Sequence, residues 1–197
     1  MIQLLADAGA DVRAQDDAAL RHAVFSGRAD NVRALLGLGA RADAQQGRAI
    51  DFAVDNETDE IAGALIASLP PGAVLKRAMR LSLQNGRTGL AQICRKRGAP
   101  VTGNRHNCLM VAVEARQLTS LQWVLKQEGV DVGVNHQAAL RSAVRVGDVA
   151  MIRTLVKAGA NPRFPGAGYL VAAGNNGHLE ALKAFLSEGA DPNENEG

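Results

Sequence analysis

The predicted fold class for this 197-residue chain is all-α, a solenoid of about six stacked helix-turn-helix repeats with an N-terminal half repeat in front. Three observations predict it. First, the stretch Ala138 to Ala160 reads as two short helices folded back on each other: Leu140, Ala143 and Val144 share one side at helical spacing, and Ile152, Leu155 and Val156 do the same. Second, this block recurs. The second-helix endings at Gly9, Gly39, Gly98, Gly129, Gly159 and Gly189 are separated by 30, 59, 31, 30 and 30 residues, so the gap of 59 must hold two repeats. Third, aromatic residues make up only 3% of the chain, and a core of small and aliphatic side chains suits thin helical layers that approach closely.

Taken in order, residues 1–11 supply only a second helix with its Gly-Ala ending. Leu4 and Leu5 there lack a first-helix mate, as in a half-cap or at the cut edge of a longer array. The repeats follow at approximately 12–41, 42–70, 71–100, 101–131, 132–161 and 162–193, all within one domain spanning 1–197. Gly27, Gly86, Gly147 and Gly177 mark the turn between the two helices, where a left-handed residue stops the first. Asp148 falls at the positive start of a second helix and Lys157 at its negative end. The second repeat is less regular. Ile50, Ala53, Val54, Ile61 and Leu65 carry its apolar pattern, Asn56 is expected in place of the turn glycine, and Leu69-Pro70-Pro71-Gly72 ends the second helix by proline. Pro165 and Gly166 mark a looser loop that carries Phe164 in an exposed position. The last helix places Leu182, Phe185 and Leu186 opposite a polar side with Lys183 and Glu188, and 193–197 should fray.

The pattern Ala-Leu-x-x-Ala, a short gap, Gly, apolar pairs and then Gly-Ala-Asp, seen in Ala139 to Ala160 and Tyr169 to Asn193, resembles the ankyrin repeat. The resemblance covers almost the whole chain. Ankyrin repeats commonly run near 33 residues, and the interval here is 30. The family's Thr-Pro-Leu-His start is absent, its place taken by Ala18-Ala19-Leu20-Arg21, Ala138-Ala139-Leu140-Arg141 and Gly168-Tyr169-Leu170-Val171. This looks like the short variant of bacterial and giant-virus proteins, which implies compact loops instead of projecting fingers.

Several classes of activity have no support in the residues. No P-loop, Gly-x-Ser-x-Gly, His-Glu-x-x-His or Cys-x-x-Cys occurs, and the four histidines do not cluster. No enzyme activity, cofactor, metal or small-molecule substrate is therefore expected. His106 and His136 occupy equivalent loops of adjacent repeats, too far apart to share a metal. Cys94 and Cys108 sit at apolar helical positions and are read as buried, reduced thiols. The longest charge-free apolar stretch, Ile61 to Leu75, is broken by Pro70 and Pro71 and falls short of a membrane span; no secretory signal precedes the first repeat, and the expected location is cytoplasmic.

Charge is uneven along the chain. Residues 1–60 carry 6 basic and 11 acidic side chains, 61–113 carry 8 and none, and 114–197 carry 8 and 9. The basic band comprises Lys76, Arg77, Arg80, Arg87, Arg95, Lys96, Arg97 and Arg105. It reads as a solvated face balanced by the acidic first repeats, as a docking site for an acidic protein surface, or as a nucleic-acid contact; the last is disfavoured because interleaved aromatics are missing.

What the resemblance implies is recognition of another protein by the concave side of the stack, through the first helix just ahead of the turn glycine. Matching positions are Phe25, Ser26, Gln84, Asn85, Glu114, Arg145, Asn175 and Asn176, with Arg105 from the basic band. Arg21, Arg80 and Arg141 occupy a preceding column, either as a ladder for carboxylates or as donors to loop carbonyls of the adjacent repeat. Phe25 is the strongest anchor candidate. The expected function is a non-enzymatic protein-protein interaction module, in an effector or immunity protein of bacterial or viral type. The alternatives are the targeting domain of a larger enzyme and nucleic-acid binding through 76–105.

Overall fold

The computed structural model describes residues 2–102, 107–163 and 168–191. Among them are thirteen α-helices and no strand. The chain divides into two compact units, Met1–Pro100 and Val101–Gly197.

Unit 1 contains α1 (Ile2–Asp7), α2 (Ala14–Phe25), α3 (Ala29–Gly37), α4 (Ala44–Asp55), α5 (Asp59–Ser68), α6 (Ala73–Gln84) and α7 (Thr88–Lys96). First helices pack on first helices, α2 on α4 and α4 on α6. Second helices do the same, α1 on α3, α3 on α5 and α5 on α7. Each also packs on its mate in its own repeat, as α2 does on α3 and α6 on α7.

Unit 2 repeats the scheme with α8 (Cys108–Glu114), α9 (Leu118–Leu125), α10 (Val134–Val146), α11 (Val149–Lys157), α12 (Tyr169–Asn175) and α13 (Leu179–Ser187). Here α8, α10 and α12 form one layer and α9, α11 and α13 the other.

Counting back from each inter-helix turn explains why these residues fold this way. One column of first helices, Leu20, Ile50, Met79, Leu109 and Leu140, is buried throughout. Four residues before the turn stands a column of small side chains, Ala23, Ala53, Ser82, Ala112, Ala143 and Ala173, also buried, which lets the helices approach closely. Ser82 turns its hydroxyl onto the Ala78 carbonyl at 2.7 Å, so its polarity costs little there. The second helices contribute Leu35, Leu65, Cys94, Val124, Leu155 and Phe185. In the last repeat Tyr169 stands where Ala139 stands one repeat earlier; its ring meets Phe185 edge-on at 4.7 Å, and its column neighbour Leu170 is only half-buried.

The turns between paired helices hold one left-handed residue each: Gly27, Glu57, Gly86, Arg116, Gly147 and Gly177. This corrects the expectation for the second repeat. Asn56 has right-handed φ of −93° and closes α4, while Glu57, at φ 60°, takes the glycine's place. The residue missing from the register therefore lies after Glu57, in the proline connection. There α5 stops at Ser68 and Leu69 turns extended ahead of Pro70, as a residue before proline must.

Second-helix endings are held by arginines, from the opening turn of the same repeat or from the repeat that follows. Arg13 Nε donates to the Gly39 carbonyl at 2.7 Å and Arg163 Nε to the Gly189 carbonyl at 2.5 Å. Both arginines are set by the same local turn, in which Asp11 and Asn161 each accept the arginine's backbone N–H at 2.9 Å. Arg97 serves Leu69 in the same way from the following repeat, with Nε at 3.1 Å and Nη2 at 2.6 Å from the Leu69 carbonyl. These are carbonyls that a helix cannot satisfy by itself.

The short connections have no projecting finger. Instead, Gln15, Asp16 and Asp17 in the first repeat, and Gln45, Gln46 and Gly47 in the second, form a left-handed turn ahead of the right-handed part of α2 and α4. Asp17 is wholly buried and accepts the Arg41 N–H at 2.8 Å; in unit 2, Gln137 accepts the Asn161 N–H at 3.1 Å at the matching place. Left-handed non-glycine residues cost about 1–2 kcal/mol each, and the side-chain bond from Asp17 to the closing end of its repeat offsets part of that cost.

Both cysteines are buried thiols, and neither is in a disulfide. Burial pushes the Cys108 thiol up to about 11. The reactive species is the thiolate, so Cys108 in the native chain should resist alkylation by iodoacetamide at pH 8 and react only at the rate at which its repeat opens. Labelling as fast as in urea-unfolded chain would contradict the packing.

Candidate functional site

No helix among the described residues is long and apolar enough to cross a membrane, and no group of three or more metal-ligating side chains occurs among them. In each unit the sequence-predicted residues lie toward the ends of the first helices, ahead of the left-handed turns. In unit 1 Phe25, Ser26, Arg80, Gln84 and Asn85 are exposed and Arg21 is half-buried; in unit 2 Glu114, Arg141, Arg145, Asn175 and Asn176 are exposed. Arg105 lies outside the described residues, as do His106, Phe164, Pro165 and Gly166; so does the side chain of His136.

Arg21 and Phe25 are brought together. Both line a groove of about 410 Å³ with Gln45, Arg48 and Phe52 from α4. The rings of Phe25 and Phe52 meet edge-on, with centroids 4.7 Å apart and planes at 72°. Such pairs are stable beyond their buried area, yet Phe25 remains 52% exposed. Sequence reasoning missed Phe52, Arg48 and Gln45. The available signal was that two of the chain's four phenylalanines stand 27 residues apart, one near the end of a first helix and the other one turn earlier in the next.

The arginine column does not form a ladder. Six residues before each left-handed turn stand Arg21, Asp51, Arg80, Met110, Arg141 and Val171, so an acid interrupts Arg21 and Arg80 within unit 1. Nor does Arg21 reach an adjacent repeat: its Nη1 donates to the carbonyls of Gln15 and Asp16 in its own left-handed turn. The donor that crosses to the preceding repeat is Arg77, which bonds the Gln46 carbonyl and pairs with Asp51 at 3.1 Å. Burial pushes the Asp51 carboxyl above the ordinary carboxylate range, against the opposing pull of Arg77.

Two asparagines serve the fold as well as the surface. Asn85 Nδ2 donates to Leu81 O at 3.0 Å and Asn176 Nδ2 to Ala172 O at 2.7 Å, each capping the last turn of its own helix. Arg141 and Arg145 lie one turn apart on α10, both exposed. His178 Nε2–H donates to the Arg145 carbonyl at 3.0 Å, which fixes the end of α10 to the start of α13.

Much of the basic band is engaged inside unit 1. Arg87 pairs with Glu57 at 2.8 Å and Asp59 at 3.6 Å, Arg77 with Asp51, and Arg97 holds the Leu69 carbonyl. The acids come from the preceding repeat, and Lys76, Arg80 and Lys96 remain exposed around them.

Paired helices in two layers with glycine-type turns define a helical-repeat protein. Comparison adds a particular repeat type: residues 109–196 match the family model described as Ankyrin repeats (3 copies). Among solved structures, the chain is similar to the ankyrin repeat domain of Bcl-3, described as a unique member of the IkappaB protein family. The TM-score is 0.69 at 22% identity, over 90% of this chain and 88% of that one. It is similar also to the human ASB11 ankyrin repeat domain, with TM-score 0.70 and 16% identity over 87% of this chain and 84% of that one. At these identities the likeness establishes the fold. No curated protein matches the sequence. Ankyrin-repeat domains in general are protein-protein interaction modules, and typically non-enzymatic.

Proposed function

We propose that this chain is a non-enzymatic interaction module that holds a partner protein against the first-helix edge of its repeats. The observation that carries the reading is the exposure of the side chains just ahead of the turns, beside buried columns that are committed to packing. The partner is a folded protein or segment with acidic character, because the first helices carry Arg21, Arg48 and Arg80 in unit 1 and Arg141 and Arg145 in unit 2. Nucleic acid is the weaker reading: phosphate contacts need cations in series, and Arg77 and Arg87 are spent on carboxylates.

The test is affinity capture from the source cell with the wild-type chain beside a Phe25→Ala, Arg145→Glu double variant. Both sites are exposed, so the variant should melt like the wild type. Loss of specific proteins from the variant's eluate is the expected result. Recovery of the same proteins by both forms would remove this edge as the binding face.

A further inference from the structure

We propose that the groove between α2 and α4 takes an acidic segment of the partner protein, which inserts one bulky apolar side chain against the Phe25–Phe52 pair and presents carboxylates to Arg21 and Arg48. The proposal rests on the reading of the first-helix edge as the binding face, and gives it an anchor point and a ligand chemistry.

Among the described residues, this pair has no counterpart at the same position of another repeat. At the position of Phe25 the later repeats carry Asp55, Gln84, Glu114, Arg145 and Asn175, all exposed and polar. An otherwise polar column thus holds a single apolar spot, and an exposed aromatic bordered by cations is the composition in which interface energy concentrates. The groove's volume, about 410 Å³, admits a large side chain, and its lining includes two arginines and no acid. Arg21 is already held by the Gln15 and Asp16 carbonyls, so its guanidinium is oriented before any ligand arrives. In the adjoining groove, which shares Gln45 and Arg48, the charge of Arg77 is met by Asp51. An incoming carboxylate is therefore drawn to the Arg21 and Arg48 side. A single-stranded nucleic acid fits less well, because bases stack on ring faces in series and these rings meet edge to face at 72°.

The experiment is a titration of the ¹⁵N-labelled full chain with an end-blocked synthetic peptide in which one leucine stands between two pairs of glutamates. Counterparts replace the glutamates by lysines or the leucine by alanine. The expected result is amide shifts confined to residues 20–26 and 45–53, with each counterpart binding about tenfold more weakly or worse. Phe25→Ala and, independently, the exposed Arg48→Glu should weaken the first peptide by a similar factor, and Arg145→Glu should not. Equal shifts from the lysine peptide, shifts mapping elsewhere, or stronger shifts in the groove from oligothymidylate would each overturn the proposal. If the peptide misses the groove while the capture variant still loses its proteins, this proposal falls and the binding face stands. If the peptide binds here yet the capture variant loses nothing, the groove stands as a peptide site and the broader face falls.

Discussion

Leu140→Ala should lower stability by ~2–5 kcal/mol, the usual cost of truncating a leucine that the surroundings cannot collapse around. Leu140 has no exposed surface and stands between the corresponding layers of α8 and α12, so the cavity opens on both sides at once. In a stack each repeat is supported by its immediate neighbours, and loss at a middle layer removes support in two directions. The measurement is a urea transition by circular dichroism, read as a midpoint shift at constant slope. Arg141→Ala, one residue on but exposed, is the control and should change stability by less than ~0.5 kcal/mol. Equal midpoints for the two variants would show that this column is not the seam of the stack.

Gly147→Ala should be the second large effect, and its size can be divided into two causes. Gly147 sits at φ 73°, where a side chain strains the backbone, and a Cβ there would fall 2.6 Å from the ring of His178. The ring is not free to retreat, since its Nε2–H is bonded to the Arg145 carbonyl at 3.0 Å. Gly27 has the same role at φ 66°, with nothing within 4 Å of its Cβ position. Gly27→Ala should therefore cost only the backbone part, ~1–2 kcal/mol, and Gly147→Ala visibly more. Removing the ring with His178→Ala should bring the second substitution down to the cost of the first. A Gly147→Ala cost no greater than Gly27→Ala would mean the ring yields without penalty.

That Glu57 and Arg116 occupy the same left-handed place bears on how much the sequence could disclose. A glycine at a turn announces itself, because no other residue adopts that conformation so cheaply. When a long polar side chain stands there instead, the register must be found from the flanking apolar columns. This is why the sequence points to Asn56 for the second repeat's turn, one residue ahead of Glu57. The columns themselves were legible: Leu20, Ile50, Ala53, Val54, Leu140 and Leu155 are all buried as their spacing demands. The candidate site was legible only in part. The family resemblance implies which first-helix positions meet a partner, and so it gave Phe25 and Arg145. It is silent on contacts between successive repeats, and so Phe52 and Arg48 escaped. The same blindness made Arg21 a candidate rung, whereas its guanidinium is turned back on its own connection. The arginines that do cross between repeats, Arg77 and Arg97, lie at other registers.

The hydrogen bonds from Arg13 to Gly39 and from Arg163 to Gly189 bear on how such a chain can be edited. In both cases the guanidinium comes from the opening turn of a unit and the carbonyl from the closing turn of that same unit, so each thirty-residue block ties its own two ends together. A deletion or graft with its junctions between the two helices would leave one carbonyl orphaned and one arginine stranded. A block that runs from its Gly-Ala-x-x-Arg stretch to the next such glycine keeps donor and acceptor as a matched set.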